Sequence, residues 1–154
     1  MLLKTSAVCL VMVIYMLVFY YRKPHIPVKS TRIFQALTVA ALLNTLFDLI
    51  TVYTVNHRDR IPDRVNLVAH IIYLLSILGF VFLLFLYMRS YLEVSTAFSR
   101  ARKICHQIPF WVSVLGILVL PITYEHGYTT DYSLGPKAYA LYFSLVFYLL
   151  LILY

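Results

Sequence analysis

Five long apolar segments, separated by short polar stretches, dominate the pattern of hydrophobic and polar positions along the chain. They cover residues 6–21, 33–55, 65–88, 109–124 and 136–154. A helix needs about 20 largely apolar residues to cross the roughly 30 Å hydrocarbon core of a bilayer. The pattern therefore predicts an all-α fold, a polytopic transmembrane helix bundle with about five spanning helices in a single domain.

Proline, glycine and hydroxyl residues mark the ends of these segments. Pro24 follows the first segment and cannot continue its helix. Ser30 and Thr31 precede the second segment, where their side chains can cap the free amides of a helix. Gly135-Pro136 opens the last segment, since proline is favoured in the first helical turn. We expect the helix boundaries to lie close to these residues.

The composition predicts a membrane location. Of the 154 residues, 62% are hydrophobic and only 12% are charged, and the mean hydropathy is +0.85. A soluble domain carries about twice that charged fraction. The values exclude a soluble globular enzyme, a disordered chain and a conventional nucleic-acid binder. We therefore expect the lipid bilayer, and no nucleic acid, as the main partner.

The first segment has some features of a secretory signal, because Lys4 precedes an apolar stretch of suitable length. However, no small-x-small cleavage site closes the stretch, and the basic pair Arg22-Lys23 follows it instead of preceding it. We therefore predict an uncleaved helix.

The net charge of +7 indicates an orientation for the bundle. With five spans, the first and third loops share one side, which holds eight Lys and Arg residues against five on the other side. Cytoplasmic loops carry an excess of Lys and Arg. We therefore predict a multi-pass protein of the cell membrane with its N-terminus outside and its C-terminus in the cytoplasm.

Two polar stripes interrupt the apolar segments. They comprise Asn44, Asp48 and Thr51 in the second segment and Asn66, His70 and Tyr73 in the third. Spacings of three and four residues place each set on one helix face. Counting from the helix ends puts Asp48 and His70 both on the order of 10 Å below the outer surface. We expect these two side chains to face each other across an antiparallel helix pair.

Ionisable residues within a span are costly and often functional. The stripes are therefore open to two interpretations. One is a polar sensing cluster or a proton-linked switch in the outer half of the bundle. The other is an interhelical polar clamp that fixes the packing, which is the more common role of such residues.

Sequence motifs of catalysis and metal binding are absent. The sequence has no Gly-rich phosphate loop, no His-Glu-x-x-His pair and no serine in a nucleophile elbow. Cys9 falls in a predicted span and Cys105 on the opposite, cytoplasmic side, which argues against a disulfide or a metal cluster. The sequence therefore predicts no catalytic residue, no metal site and no cofactor.

Four short stretches carry a resemblance to a known family: residues 21–23 (YRK), 30–34 (STRIF), 46–54 (LFDLITVYT) and 135–139 (GPKAY). Together they resemble the N-terminal multi-span membrane region of GGDEF-type diguanylate cyclases of Firmicutes and of related EAL or HD-GYP cyclic di-GMP signalling proteins. In that family the membrane region precedes a cytoplasmic catalytic domain. The resemblance matches Asp48 to the family's intramembrane acid.

The catalytic motifs of that family are missing, since the chain contains no Gly-Gly-Asp-Glu-Phe, Glu-Ala-Leu or His-Asp sequence. The last apolar segment also ends at Tyr154 without a basic stop. We therefore expect a membrane module truncated at its C-terminus that catalyses nothing by itself. In the intact protein it would be the sensory and anchoring domain of a signalling protein, as a homo-oligomer or with a covalently linked output domain. The alternative is a small oligomeric transporter or channel.

Overall fold

The computed structural model describes residues 2–22, 24, 29–57, 59–92, 104–126 and 131–153. Over these residues the chain forms five helices, in the order of the five predicted segments. They are α1 (Leu2–Tyr21), α2 (Lys29–Asn56), α3 (Asp63–Leu92), α4 (Ile108–Val119) and α5 (Pro136–Leu153). The predicted all-α helix bundle is confirmed.

Three of these helices, α2, α3 and α5, are long and apolar enough to cross a membrane. Helix α1, over Thr5–Tyr21, and α4 are shorter apolar helices. The 12 residues of α4 extend about 18 Å, which is less than the hydrocarbon thickness. All five apolar segments are therefore helical, and three of them meet the length of a span.

The shortness of α4 has a local cause. Its sequence prediction ran to residue 124, but the helix ends at Val119, and Leu120 takes an extended conformation. The next residue, Pro121, lacks an amide hydrogen and disfavours the helical conformation of the residue before it. The sequence predicts a kink or stop at Pro121, which is confirmed, but the apolar pattern continues past the proline and the boundary at residue 124 was too late.

A two-stranded hairpin follows α4, with β1 (Thr123–His126) antiparallel to β2 (Asp131–Leu134). The chain then turns at Gly135, where φ is +119° and an added Cβ would lie 2.5 Å from the Thr123 hydroxyl oxygen. Only glycine fits that backbone and that approach. The backbone of β2 lies against both α2 and α5.

Helix α3 is the centre of the bundle and packs against α2, α4 and α5. Helix α1 packs against α2 at the periphery, and α4 packs against α5. Within the described ranges, α2 and α5 make no close backbone contact with each other, although both contact α3. This arrangement leaves a gap between α2 and α5.

The core lies along α3, and many large apolar side chains face outward. The buried side chains form two clusters, comprising Leu74, Leu78, Ile117 and Leu141, and Val81, Phe85 and Tyr148. Exposed apolar residues cover the outer faces of α1, α4 and α5. Soluble monomers rarely expose apolar surface on this scale, whereas lipid covers it at no cost. Together with the three long helices, this surface supports a membrane location.

Candidate functional site

The gap between α2 and α5 forms a cavity of about 350 Å³, closed on its third side by α3. This volume is at the lower end of the range for small-molecule sites. Apolar side chains such as Val55, Leu74 and Leu141 make up most of its wall. Its polar lining residues are Asp48, Thr51 and Asn56 from α2, His70 and Tyr73 from α3, and Tyr142 from α5. We call it the α2–α3–α5 cavity.

Two side-chain hydrogen bonds fix the register of α2 against α3. The Thr54 hydroxyl lies 3.1 Å from Oδ1 of Asn66, and the Ser76 hydroxyl donates to Oδ1 of Asn44 over 3.1 Å. The residue numbers of the two pairs add up to the same value, as expected for antiparallel helices in one continuous register. These two contacts act as interhelical polar clamps.

This register places Asp48 level with residue 72, so Asp48 and His70 are two residues, or about 3 Å, apart in depth. Both side chains line the same cavity. That they face each other directly stays a prediction.

Asp48 has partners on two neighbouring helices. The Ser6 hydroxyl of α1 donates to Oδ2 of Asp48 over 2.5 Å. The Tyr73 phenol of α3 lies beside the same carboxylate. The acid is therefore held from both sides of α2. Sequence analysis did not identify Ser6, because a single serine in an apolar helix gives no periodic signal.

Two further polar side chains of the cavity lining, Thr51 of α2 and His70 of α3, are buried. Lys137, in the first turn of α5, is also buried but does not line the cavity. Its positive charge is close enough to the His70 ring to interact with it. The Thr51 hydroxyl oxygen is buried and has no hydrogen-bond partner in the structure. Lys137 forms no ion pair with another described residue.

Sequence analysis used Lys137 only as an outer-loop charge in assigning the orientation. The sequence does indicate that Lys137 lies within a span, because Lys137 directly follows Gly135-Pro136 and so falls in the first turn of a predicted span. Ionisable residues inside a span are candidates for function. Asn44 and Asn66, from the two predicted polar stripes, instead form the clamps, and Asn66 keeps one buried amide nitrogen without a partner.

A second polar group lies between α4 and α5. The Ser113 and Ser144 hydroxyls are 2.6 Å apart, Ser113 donates to the Ala140 carbonyl over 2.8 Å, and Ser144 donates to the Pro109 carbonyl over 3.1 Å. An added Cβ on Gly116 would lie 2.9 Å from the Ala140 Cβ. We call this contact the α4–α5 seam. Small residues with mutually satisfied hydroxyls are typical of close helix packing in membranes.

The half of the bundle beyond the cavity is closed by aromatic packing. Tyr148 is fully buried, and its hydroxyl donates to the His106 carbonyl over 2.8 Å. The rings of Phe82, Phe85 and Phe110 pack around the same level. In the described ranges, no group of three metal-ligating side chains comes together. The polar lining therefore ends at an apolar core.

No family model, curated protein or solved structure matches the chain. The resemblance to the membrane region of cyclic di-GMP signalling proteins thus depends on the four short stretches alone. The geometry of the α2–α3–α5 cavity is independent of it. The lining includes Thr51 of α2, His70 of α3 and Tyr142 of α5. Polar groups from three helices, around a volume that can hold a small molecule, are suited to reversible ligand binding.

Proposed function

We propose that the chain is the membrane-embedded sensory and anchoring domain of a signal-transduction protein in the cell membrane. Its N-terminus lies outside and its C-terminal end in the cytoplasm, as the distribution of Lys and Arg indicates. A linked cytoplasmic domain makes or degrades cyclic di-GMP, as the family resemblance implies. The observation that carries the proposal is the α2–α3–α5 cavity.

The cavity favours a sensing role over a purely structural one. A packing clamp fills its space and satisfies its polar atoms, as Asn44 and Ser76 do. The cavity instead leaves about 350 Å³ unfilled, and the buried Thr51 hydroxyl without a partner. Empty volume and unsatisfied polar atoms both cost stability. A protein that retains both at one place has a use for them.

The packing also favours a sensor over a transporter or channel. Transport needs a polar path from one side of the bundle to the other. The described residues beyond the cavity offer Leu78, Ile117 and Phe85 instead, all 5% exposed or less. Helices broken near the middle are common at transport sites, whereas α2, α3 and α5 are continuous. A binding cavity without a continuous polar path suits detection of a stimulus.

Signalling follows from the way the bundle is assembled. Helices α2 and α5 are held together through α3 and through the backbone of β2, without a direct contact between their described residues. A ligand in the cavity touches both helices, so it changes their preferred separation. Its effect on the output is limited to its difference in affinity for the two packings. The C-terminal end of α5 then transmits the change to the linked domain.

The proposal is tested by fusing the chain to a diguanylate cyclase domain and measuring cyclic di-GMP in cells. Ala138 lines the cavity, so Ala138→Leu fills part of it. Val146→Leu adds a methylene group on the exposed face of the same helix and serves as the matched control. We expect Ala138→Leu alone to change the cyclic di-GMP level. Equal levels for all three fusions at equal expression contradict a sensory role.

The transporter alternative has its own test. Purified chain in proteoliposomes is assayed for the uptake of labelled ions and small solutes, with protein-free vesicles as the control. We expect equal uptake in both preparations. Uptake that depends on the chain and disappears with Ala138→Leu favours transport and contradicts the proposed function.

A further inference from the structure

Asp48 brings a negative charge without a counter-ion to the α2–α3–α5 cavity. Its carboxylate is partly buried, lines the cavity and forms no ion pair with another described residue. The described lining also includes no Lys or Arg side chain. Acidic side chains within a membrane bundle are costly and usually pair with a positive charge. The cavity therefore presents its acid to a cation from outside the chain.

The hydrogen bonds of Asp48 leave room for such a cation. The Ser6 hydroxyl donates to Oδ2, and the Tyr73 phenol lies beside the same carboxylate. A carboxylate has about four acceptor positions on its two oxygens, so these two donors do not exhaust it. Both donors are uncharged and leave the net charge of the site negative. An ammonium group binds as a further donor and supplies the missing positive charge.

The rest of the lining favours an organic cation over a metal ion. Tyr73 of α3 and Tyr142 of α5 line the cavity together with Asp48. An ammonium within about 6 Å of an aromatic ring is attracted to the face of that ring. Apolar side chains such as Val55 and Leu74 form most of the remaining wall. An ammonium head on an apolar body matches both parts of this lining, whereas a hydrated metal ion does not match the apolar part.

Thr51 adds a second requirement for the ligand. It lies three residues after Asp48, so the two side chains are on the same side of α2 and about 4.5 Å apart along its axis. Thr51 is 6% exposed and lines the cavity, and its hydroxyl oxygen has no hydrogen-bond partner in the structure. A ligand hydroxyl close to the ammonium spans this distance and satisfies Thr51.

We propose that the α2–α3–α5 cavity binds a small monoamine, with its ammonium on Asp48 and a neighbouring hydroxyl on Thr51. The volume of about 350 Å³ limits the apolar body to a ring or a short branched chain. Two basic residues are close to the site: His70 lines it, and Lys137 interacts with His70 from outside the lining. The ammonium is therefore assigned to Asp48. The inference deepens the proposed sensory function by naming the chemical class of the stimulus, and it rests on that function for its biological role.

The first experiment compares three probes that share a phenylethyl group and differ in their head: 2-phenylethylamine, 2-phenylethanol and 3-phenylpropanoate. Thermal unfolding of the full chain in phosphatidylcholine nanodiscs is measured at increasing probe concentration, because a ligand of the folded state raises Tm. We expect a rise with the amine, a smaller rise with the alcohol and none with the carboxylate. Equal shifts for all three probes, or the largest shift with the carboxylate, overturn the proposal.

The second experiment locates the ammonium. Asp48→Asn removes the charge and keeps an acceptor for Ser6, and we expect it to weaken 2-phenylethylamine binding by at least about tenfold. Asp59→Asn makes the same substitution at an exposed residue outside the lining and should leave the affinity unchanged. Unchanged affinity in folded Asp48→Asn, or equal losses in both variants, overturns the assignment.

The third experiment tests the hydroxyl contact and still applies if Asp48→Asn does not fold. The probe 2-amino-1-phenylethanol adds a hydroxyl next to the amine, and we expect it to bind about threefold more tightly than 2-phenylethylamine. Thr51→Val should abolish this gain and leave the affinity for 2-phenylethylamine unchanged. No gain in the native chain, or a gain that persists in Thr51→Val, overturns the placement of the hydroxyl.

A free monoamine and the ethanolamine headgroup of a lipid share this chemistry. Titration of 2-amino-1-phenylethanol in nanodiscs of phosphatidylcholine and of phosphatidylethanolamine separates the two sources. Weaker apparent binding in phosphatidylethanolamine assigns a competing ligand from the membrane, and equal binding assigns one from the aqueous phase. Both outcomes keep the ammonium site, whereas binding in neither lipid contradicts it.

The fusion to a cyclase domain separates this inference from the proposed function. If 2-amino-1-phenylethanol binds and leaves cyclic di-GMP unchanged, the sensory function is contradicted and the site is kept. If cyclic di-GMP responds to Ala138→Leu in a chain that binds no amine probe, the function is kept and the site is contradicted.

Discussion

The α2–α3–α5 cavity and the α4–α5 seam use similar polar residues in opposite ways. In the seam, Ser113 and Ser144 are hydrogen-bonded to each other and to backbone carbonyls, and Gly116 allows close approach of the helices. In the cavity, Thr51 is equally buried but lacks a partner, and the helices on either side stand apart.

This difference separates polar residues that stabilise a membrane bundle from those available to a ligand. Sequence spacing alone does not distinguish them, because both sets lie at intervals of three or four residues within apolar helices. The distinguishing quantity is the local balance of donors, acceptors and volume. The seam is satisfied and filled. The cavity has unfilled space and a Thr51 hydroxyl without a partner.

The largest expected effect comes from a matched pair of glycine substitutions. Gly116→Ala places a Cβ 2.9 Å from the Ala140 Cβ, so the helices of the seam must separate, and we expect a loss of about 1–3 kcal/mol in stability. Gly79→Ala meets no atom within 4 Å and should stabilise α3 by up to about 1 kcal/mol. Unfolding in detergent by denaturant measures both. Equal changes in stability for Gly116→Ala and Gly79→Ala would contradict a close contact between α4 and α5 at the seam.

Removal of a hydroxyl from the seam should have a moderate effect. Ser144→Ala deletes the contacts to Ser113 and to the Pro109 carbonyl, and we expect a loss of about 1 kcal/mol. The same unfolding assay measures it. Ser90→Ala, whose hydroxyl bonds only within its own helix, is the control and should change stability by less. An equal loss for both variants contradicts an interhelical role.

The smallest expected effect has the opposite sign. Thr51→Val replaces an unsatisfied buried hydroxyl by a methyl group, so we expect stability to rise by roughly 0.5 kcal/mol. The same unfolding assay measures it. A destabilised variant places Thr51 among the packing residues and removes the contrast between cavity and seam.

The five helices could be predicted from the sequence because apolar segments of this length leave little alternative in a membrane. The hairpin β1–β2 could not, because Pro121 indicates where α4 stops but neither it nor hydropathy indicates that the following residues pair as strands. Similarly, both polar stripes were visible, and all six of their members lie at the α2–α3 contact or in the cavity lining.

What the sequence could not provide was the partner of each polar residue. Ser6 donates a hydrogen bond to Asp48, which is 42 residues away in the sequence. The charge of Lys137, on the last helix, interacts with His70. Such contacts depend on helix register and on which helices are neighbours, and neither is encoded in a local pattern.

The central claim is that the cavity residues serve signalling more than packing, and Asp48→Asn tests it most directly. Asparagine can still accept the hydrogen bond from Ser6, so the fold should lose less than about 1 kcal/mol. The measurement is made on one fusion to a cyclase domain, with unfolding and cyclic di-GMP recorded together. We predict near-native stability and an altered cyclic di-GMP level. A large loss of folded protein with an unchanged level per folded molecule would contradict the account and make Asp48 a packing clamp.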